Sequence, residues 1–101
     1  GGARVFWVIS PPVKTNGYYG PMEDHVARLN EIYRTLPVPK VDWATPSSLN
    51  GGYADDLPIG PNGEMVRVRA ADGLHYTPEG DLLLADAALR TMLQLEARPG
   101  F

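Results

Sequence analysis

The sequence predicts an α/β fold with parallel strands that are covered by helices. Residues 4–10, RVFWVIS, form a β-branched and aromatic run without polar alternation, which suits a strand buried on both faces. A helical pattern follows at residues 22–36, and a second β-branched segment, VPKVDWA, follows the helix at residues 38–44. Strand, helix and strand in this order make a right-handed βαβ unit in which the two strands are parallel.

The helix at residues 22–36 has both a start signal and an apolar stripe. It follows a loop rich in Pro, Gly and Asn at residues 11–21. Glu23 and Asp24 lie in its first turn, where negative charge complements the helix dipole. Its apolar residues recur at helical spacing and are expected to pack on the sheet. They are Val26, Leu29, Ile32, Tyr33 and Leu36.

The second half of the chain is predicted to contain a long loop, a short extended segment and a final helix. Residues 45–64 are loop-like, and loops of that length are commonly functional or mobile. Residues 65–70, MVRVRA, form a short strand or an extended approach to the next loop. Thr77 has the chemistry of an N-cap for a helix at residues 78–97, and Pro78 suits the first helical position. The expected buried face of this helix comprises Leu82, Leu83, Ala85, Ala88, Leu89, Met92 and Leu95.

These elements are too few for a self-contained doubly wound sheet. A fully apolar strand needs neighbouring strands on both sides and helices on both faces. The sequence therefore predicts that residues 1–101 are the C-terminal part of a larger three-layer α/β/α domain, with a small three-layer remnant as the alternative.

Composition limits the class of protein and its partners. The content of 44% hydrophobic and 21% charged residues is typical of a folded globular domain. The net charge of −3 and the scattered basic residues argue against a nucleic-acid partner. No cysteine is present, which excludes disulfides and cysteine-ligated metal but does not fix the compartment. The apolar runs are too short to span a bilayer, and any targeting segment, such as one for export to the cell envelope, is expected to lie outside these residues.

The stretch RVRAADGLHYTPEGD, residues 67–81, contains the strongest candidate for chemistry. Asp72 precedes His75 by three residues, directly before the helix-start signal. Histidine is the side chain whose unperturbed pKa lies between about pH 5 and pH 8, so a nearby carboxylate can orient and tune it for proton transfer. From these residues alone, the alternative is a capping or solvated aspartate beside a structural histidine.

The stretch ADGLHYTPEGDLLLADAAL, residues 71–89, resembles the last block of SGNH (GDSL-type) hydrolases, in which an Asp-x-x-His pair lies on the loop before the C-terminal helix. The segments VFWVISPP, LNEIY and VDWATP also resemble the later half of that fold, so the resemblance covers nearly the whole chain. Within the superfamily the chain is most similar to proteins of the DUF459 kind. The resemblance implies a flavodoxin-like SGNH-hydrolase fold in which residues 1–101 are the C-terminal portion of a single domain.

The resemblance also implies a catalytic role for each member of the pair. His75 matches the general base that takes a proton from a serine nucleophile, and Asp72 matches the carboxylate that orients the imidazole. Gly73 lets the loop turn sharply between them, and the Thr77 cap anchors the loop on a helix.

The chain departs from the family pattern in the blocks that would carry the nucleophile. It has no Gly-Asp-Ser block, no second-block oxyanion glycine in its usual setting and no Gly-x-Asn-Asp block, and Ser10, Ser47 and Ser48 do not match the nucleophile motif. The expected function is that of the C-terminal segment of an SGNH-type serine esterase or acyltransferase, joined by a complementary N-terminal part that carries the serine. The expected substrate is a small ester or an O-acylated carbohydrate, and no cofactor is expected. The alternative is a non-catalytic α/β module for binding or assembly.

Three further residues are predicted to bind the substrate. Tyr18 and Tyr19 lie on a Gly-flanked loop at the C-terminal edge of the predicted sheet, where ligands of α/β folds bind. Tyrosines that cover the edge of the core are the alternative. Arg69, like Arg67, lies on the extended segment before the His75 motif, where it is placed to bind an anionic group or to pair with a surface carboxylate.

No metal site is predicted. His25 lies beside Glu23 and Asp24, but neighbouring helix positions point in different directions, which favours a solvated helix start. Asp55 and Asp56 lack the ligand spacing of an EF-hand loop, which favours a plain acidic turn over a calcium site.

Overall fold

The computed structural model describes residues 4–97, and this part of the chain forms a mixed α/β structure with two helices and three small sheets. In chain order the elements are β1 (Trp7–Ile9), a 3-10 turn (Gly20–Met22), α1 (Glu23–Thr35), β2 (Lys40–Asp42), β3 (Ser48–Leu49), β4 (Gly52–Tyr53), β5 (Asp56–Leu57), β6 (Val66–Arg67) and α2 (Pro78–Glu96). Between residues 4 and 97, no helix is both long enough and apolar enough to cross a bilayer.

β1 and β2 form the parallel pair that the sequence predicts. Val8 lies opposite Val41, and the Trp43 N–H donates to the Ile9 carbonyl over 3.1 Å. α1 connects the two strands and packs against β1, whereas α2 packs against β2 and β6. The prediction of a βαβ unit is therefore confirmed, with both strands shorter than the sequence pattern suggests.

The apolar faces that the sequence predicts to be buried are largely exposed in the described chain. In β1 only Ile9 is buried, whereas Trp7 is 39% exposed. None of the predicted stripe positions on the two helices is fully buried, and half of them are exposed, among them Leu29, Ile32, Leu82, Leu89 and Met92. Within residues 4–97, β1 is not buried on both faces and α2 has no broad buried face, because a two-stranded sheet offers too little surface to cover these elements.

The long segment between β2 and α2 is folded, which corrects the prediction of a plain loop at residues 45–64. β3 and β4 form a hairpin through Asn50 and Gly51, whose φ angles of 54° and 80° are both positive, as a type I′ turn requires. β5 pairs antiparallel with β6. A small apolar cluster supports these ladders; its members are Ala54, Leu57 and Val68, with Leu83 of α2 packed against them.

α2 begins at the predicted Thr77 cap. The Thr77 hydroxyl oxygen accepts the Gly80 N–H at 3.1 Å and donates to the Arg67 carbonyl at 2.8 Å. The Thr77 N–H donates to the Val68 carbonyl at 3.0 Å. Gly80 is required here because a Cβ at this position would lie 2.2 Å from the Val68 carbonyl oxygen. The start of the helix is therefore fixed against the extended segment that leads into the Asp72–His75 motif.

Candidate functional site

Asp72 and His75 lie on the loop of residues 70–76, called here the His75 loop, which leads from the β6 region into α2. His75 Nδ1 lies 2.5 Å from Asp72 Oδ2. The imidazole side chain is 70% exposed and the carboxylate side chain is 33% exposed. Among residues 4–97, Nε2 makes no hydrogen bond to another protein atom. The structure therefore brings the predicted pair together, with one ring nitrogen bonded and the other open to a partner.

The second oxygen of Asp72 holds the backbone of the His75 loop. Oδ1 accepts the N–H groups of Leu74 and His75, each at 2.9 Å. The bond from the imidazole is the largest cause that lowers the pKa of Asp72 to about 2, and the two backbone bonds add to it. An ionised carboxylate only accepts hydrogen bonds, so Nδ1 carries the proton in this pair. In the neutral imidazole, Nε2 is then the basic nitrogen.

Gly73 gives the His75 loop its turn. Its φ is +74°, and a Cβ there would lie 2.6 Å from the Cβ of Lys14. The Gly73 carbonyl accepts the Lys14 N–H at 3.1 Å, and the Gly73 N–H donates to the Ala70 carbonyl at 3.1 Å. The loop that follows β1 therefore packs directly on the His75 loop, which confirms that glycine provides the turn between the two site residues.

Arg69, which the sequence predicts to bind the substrate, lies beneath the His75 loop and is 1% exposed. Its guanidinium donates to the Leu74 carbonyl at 2.9 Å and also to the Pro12 carbonyl. The guanidinium carbon lies 4.8 Å from the ring centroid of Tyr53 and 4.2 Å from that of Tyr76. The contacts link the loop after β1 to the His75 loop, whereas direct contact between Arg69 and a substrate stays a prediction.

The two predicted tyrosines lie at the same side of the site. The Tyr19 ring centroid is 6.4 Å from that of His75, with an angle of 80° between the ring planes. Tyr18 is 85% exposed and packs edge-on against Tyr19, with 5.0 Å between the ring centroids. These rings form an aromatic edge beside His75, and their contact with a substrate stays a prediction.

The serine hydroxyls of the described chain are bonded elsewhere or lie apart from His75. Ser47 is fully buried and donates to the Trp43 carbonyl at 2.5 Å. Ser48 donates to another backbone carbonyl at 2.6 Å. Within residues 4–97, neither of these nor Ser10 makes a hydrogen bond to His75. His75 therefore has no nucleophile bonded to it in this part of the chain.

The residues that the sequence analysis weighed as metal ligands form no metal cluster in the described part of the chain. His25 is exposed in the first turn of α1. Asp55 is bonded to Lys14 and Tyr53. No group of three or more His, Asp or Glu side chains in the described range is arranged to hold a metal ion.

Sequence reasoning missed two polar contacts that join distant parts of the chain. The Lys14 ammonium lies 3.3 Å from Asp55 Oδ2, although the two residues are 41 positions apart. Asn30 of α1 is buried, and its side-chain amide bonds both the N–H and the carbonyl of Ser10, at 2.9 and 2.8 Å. No local signal predicts the first contact. The contact between Asn30 and Ser10 does have a local signal, because Asn30 is a polar residue beside the apolar stripe of α1.

An apolar cavity of about 600 Å³ borders the His75 loop. Leu74 and Tyr76, the neighbours of His75 in sequence, both line it, together with Val8 of β1 and Leu84 of α2. Burial raises the pKa of the Tyr76 hydroxyl. The cavity therefore borders the loop that carries His75, although the imidazole itself is not part of its lining.

A known protein family matches nearly the whole length of this chain. A family model described as "Protein of unknown function (DUF459)" matches residues 1–91. The matched range includes β1, β2, the His75 loop and most of α2. No curated protein matches the sequence. Because the family model covers far more than half of the chain, the chain belongs to the DUF459 family.

Proposed function

We propose that this chain is the C-terminal segment of an SGNH-type serine esterase or acyltransferase, within a three-layer, flavodoxin-like α/β/α domain. His75 is the general base, Asp72 is the carboxylate that orients it, and a complementary N-terminal part of the domain supplies the serine nucleophile. The substrate is an ester-linked acyl group on a small ester or an O-acylated carbohydrate.

The observation that carries the proposal is the bond between Asp72 and His75. A serine hydrolase needs a histidine as its base. An acid orients the imidazole through one ring nitrogen, and the other ring nitrogen takes the proton of the serine nucleophile. Asp72 Oδ2 is hydrogen-bonded to His75 Nδ1 at 2.5 Å. Since the imidazole is 70% exposed, a serine hydroxyl has room to approach within about 2.6–3.2 Å of Nε2.

The proposed chemistry uses the pair in two proton transfers. The serine oxygen attacks the ester carbonyl while its proton passes to His75 Nε2, and the Asp72 carboxylate stabilises the imidazolium that forms. The imidazolium then gives that proton to the departing alcohol, which leaves an acyl-serine. Water attacks the acyl group in a hydrolase and a second alcohol attacks it in an acyltransferase, with His75 again taking and returning the proton. These steps use no cofactor.

β1 is incompletely covered by the described residues, which supports the proposal that a complementary part of the domain packs against it. Among residues 4–97, β2 is the only strand that pairs with β1. Parallel strands are usually buried by further strands and by helices on both faces. Exposed apolar side chains such as Ile32, at 56%, and Leu82, at 72%, are surfaces that the rest of an α/β domain would cover.

A non-catalytic binding or assembly module is the second candidate. One observation favours it: no serine hydroxyl in the described chain bonds to His75, so the pair has no nucleophile of its own there. The two candidates differ in whether a serine-bearing part, from the same gene or a companion chain, gives ester turnover together with these residues.

Hydrolysis of p-nitrophenyl acetate tests the proposal. The 101-residue chain alone is expected to show no turnover above background, since base, acid, serine and oxyanion donors act as a unit. Joined to its serine-bearing part, the protein is expected to hydrolyse the ester. His75→Ala in that protein should lower kcat by roughly four orders of magnitude, and Asp72→Asn by a similar or smaller factor. His25→Ala, which changes an exposed histidine on α1 outside the His75 loop, is the matched control.

A fluorophosphonate that labels activated serines gives a second readout. Labelling of the joined protein should slow in His75→Ala and stay unchanged in His25→Ala, with folding checked by circular dichroism. Full activity in His75→Ala would overturn the assignment of the base. Turnover by the chain alone would place a nucleophile among Ser10, Ser47 and Ser48, contrary to the proposal. A joined protein that neither hydrolyses nor is labelled would favour the binding module.

A further inference from the structure

A second cavity, of about 540 Å³, lies between the loop that follows β1 and the segment that follows β2. It is called here the Asp55 cleft, and the polar side chains that line it are Lys14, Thr15, Asn16, Glu23, Tyr53 and Asp55. In α/β folds, ligands bind outside the carboxyl ends of parallel strands, where such loops meet. The volume also falls within the range of roughly 300–1,000 Å³ that is usual for small-molecule sites.

The centre of the Asp55 cleft is a three-residue polar cluster. The Tyr53 hydroxyl donates to Asp55 Oδ1 at 2.8 Å, and the Lys14 ammonium donates to Asp55 Oδ2 at 3.3 Å. The side chains of Lys14 and Asp55 are 33% and 35% exposed, so both are held by the protein and remain open to the cleft. The hydrogen bond from Tyr53 is the largest cause that lowers the pKa of Asp55, which keeps this carboxylate ionised.

The cluster has unused hydrogen-bonding capacity. A carboxylate offers about four acceptor positions, of which Tyr53 and Lys14 take one each, and an ammonium offers about three donors, of which Asp55 takes one. Free acceptor and donor positions therefore lie side by side in the cleft. Two neighbouring hydroxyl groups of one molecule match this arrangement, because each hydroxyl both donates and accepts.

We propose that the Asp55 cleft binds an uncharged, polyhydroxylated group such as a sugar ring, with vicinal hydroxyls on Asp55 and Lys14. An anion is a poorer fit because the Lys14 ammonium is already paired with a carboxylate. An apolar chain is a poorer fit because it would displace water from two charged side chains and could not satisfy their remaining donor and acceptor positions. The residues of 4–97 also give no cluster of three metal-ligating side chains in this cleft.

The walls of the Asp55 cleft are tied to the His75 loop. The Lys14 N–H donates to the Gly73 carbonyl at 3.1 Å, between the two site residues in sequence. The Asp55 carbonyl accepts the N–H groups of Val68 and Arg69, which directly precede the His75 loop, at 2.9 and 3.2 Å. The cleft is therefore placed to hold the alcohol portion of an O-acylated carbohydrate. That assignment to a substrate rests on the proposed esterase function, whereas sugar binding as such does not.

Amide NMR spectra of the ¹⁵N-labelled 101-residue chain, titrated with cellobiose, test the inference directly. Saturable shifts are expected at the amides of Asn16 and Gly52, with a dissociation constant in the millimolar range. Asp55→Asn and Lys14→Met should each weaken binding roughly tenfold or more, as expected for losing a hydrogen bond to a charged group. Asp86→Asn, which removes an exposed carboxylate bonded to Arg90 on α2, should bind cellobiose as the unmodified chain does.

Inorganic phosphate and hexanoate are the comparison ligands, and neither should produce saturable shifts at these amides. The inference is overturned if cellobiose gives no saturable shifts there, if Asp55→Asn binds equally well, or if phosphate binds more tightly. In the joined esterase, Asp55→Asn should lower kcat/KM for O-acetylated cellobiose roughly tenfold more than for p-nitrophenyl acetate. If no ester is hydrolysed at all, the proposed function fails, and the NMR titration still decides whether the cleft binds sugar.

Discussion

Replacement of Arg69 by methionine tests whether the buried guanidinium holds the His75 loop in place. Arg69 is 1% exposed and bonds the carbonyls of Leu74 and Pro12, which lie in the His75 loop and in the loop after β1. Methionine has a similar unbranched length but no donor. Arg69→Met should therefore leave the two carbonyls without partners and loosen the contact between the two loops.

The expected cost follows from the contacts that are lost. Hydrogen bonds to a charged group contribute about 1.5–3 kcal/mol each, and a desolvated cation over an aromatic ring adds about 0.5–2 kcal/mol. Removing a buried cation that has no carboxylate partner in residues 4–97 offsets part of this loss. A net destabilisation of about 2–4 kcal/mol is expected, against a total of about 5–15 kcal/mol for a typical domain.

Urea unfolding followed by circular dichroism measures this effect. With an m-value of about 1–3 kcal/mol per molar urea, the midpoint of Arg69→Met should fall by roughly 1–2 M. Arg69→Lys should lose a comparable amount, because one ammonium does not reproduce the two-pronged geometry that reaches both carbonyls. The control is Arg90→Met, whose 75% exposed side chain pairs with a carboxylate on α2 and should change stability by less than about 0.5 kcal/mol. If Arg69→Met unfolds at the same urea concentration as the unmodified chain, the guanidinium does not tie these loops together.

Three further predictions concern the same loop. Gly73→Ala should lower the free energy of unfolding by about 1–3 kcal/mol, and by more than Gly63→Ala does. Both glycines have positive φ, but only at Gly73 would a Cβ lie against another side chain. Equal losses in the two variants would contradict that contact. Thr77→Ala should cost about 1 kcal/mol in urea unfolding through loss of the helix cap, and an unchanged midpoint would argue against that cap. Carbon-detected NMR should show Asp72 titrating at about pH 2, and His75→Ala should raise this pKa; a carboxyl that titrates at its ordinary value of 3.8 would contradict the observed pairing. Because folding lowers the pKa of Asp72, its stabilising contribution should be present above pH 3.8 and be lost as the pH falls through about 2.

Local signals predicted the elements of the fold but not how they are covered. The Thr77 cap of α2, the crossover helix and the parallel pairing of β1 with β2 all follow from patterns within a few residues of one another. Burial of the stripe on α1 does not, since a pattern shows which side of a helix is apolar and not what packs on it. Leu82 and Leu89 are apolar and exposed for the same reason.

One missed element did have a sequence signal. Asn50 and Gly51 are the residue pair that a type I′ hairpin prefers, and they form that turn. The strands on either side are only two residues long, Ser48–Leu49 and Gly52–Tyr53, so the alternation that normally identifies a hairpin is absent. The hairpin was therefore indicated only by its two turn residues, and the many glycines and prolines in the surrounding sequence favoured the prediction of a loop.

At the site, contacts between near neighbours were predictable and contacts between distant segments were not. Asp72 and His75 are three residues apart on a tight turn, so their pairing follows from local geometry. The burial of Arg69 depends on a carbonyl 57 positions away, at Pro12. A basic residue on an extended segment looks the same in sequence whether it faces solvent or lies under a loop. Only the packing of the loop after β1 separates these cases.

The bonds that fix the His75 loop have a consequence for the proposed reaction. Asp72 Oδ1 holds two backbone N–H groups, the Gly73 carbonyl is bonded to Lys14, and the Leu74 carbonyl is bonded to Arg69. None of these bonds needs a substrate or a serine, so the imidazole is oriented before either arrives. Under the proposed function, the nucleophile must therefore come to Nε2, because movement of the ring toward a distant serine would break the bond to Asp72. The serine-bearing part should then dock without changing the amide shifts of the Asp72 turn, and large shifts there would show that the loop is rebuilt on docking.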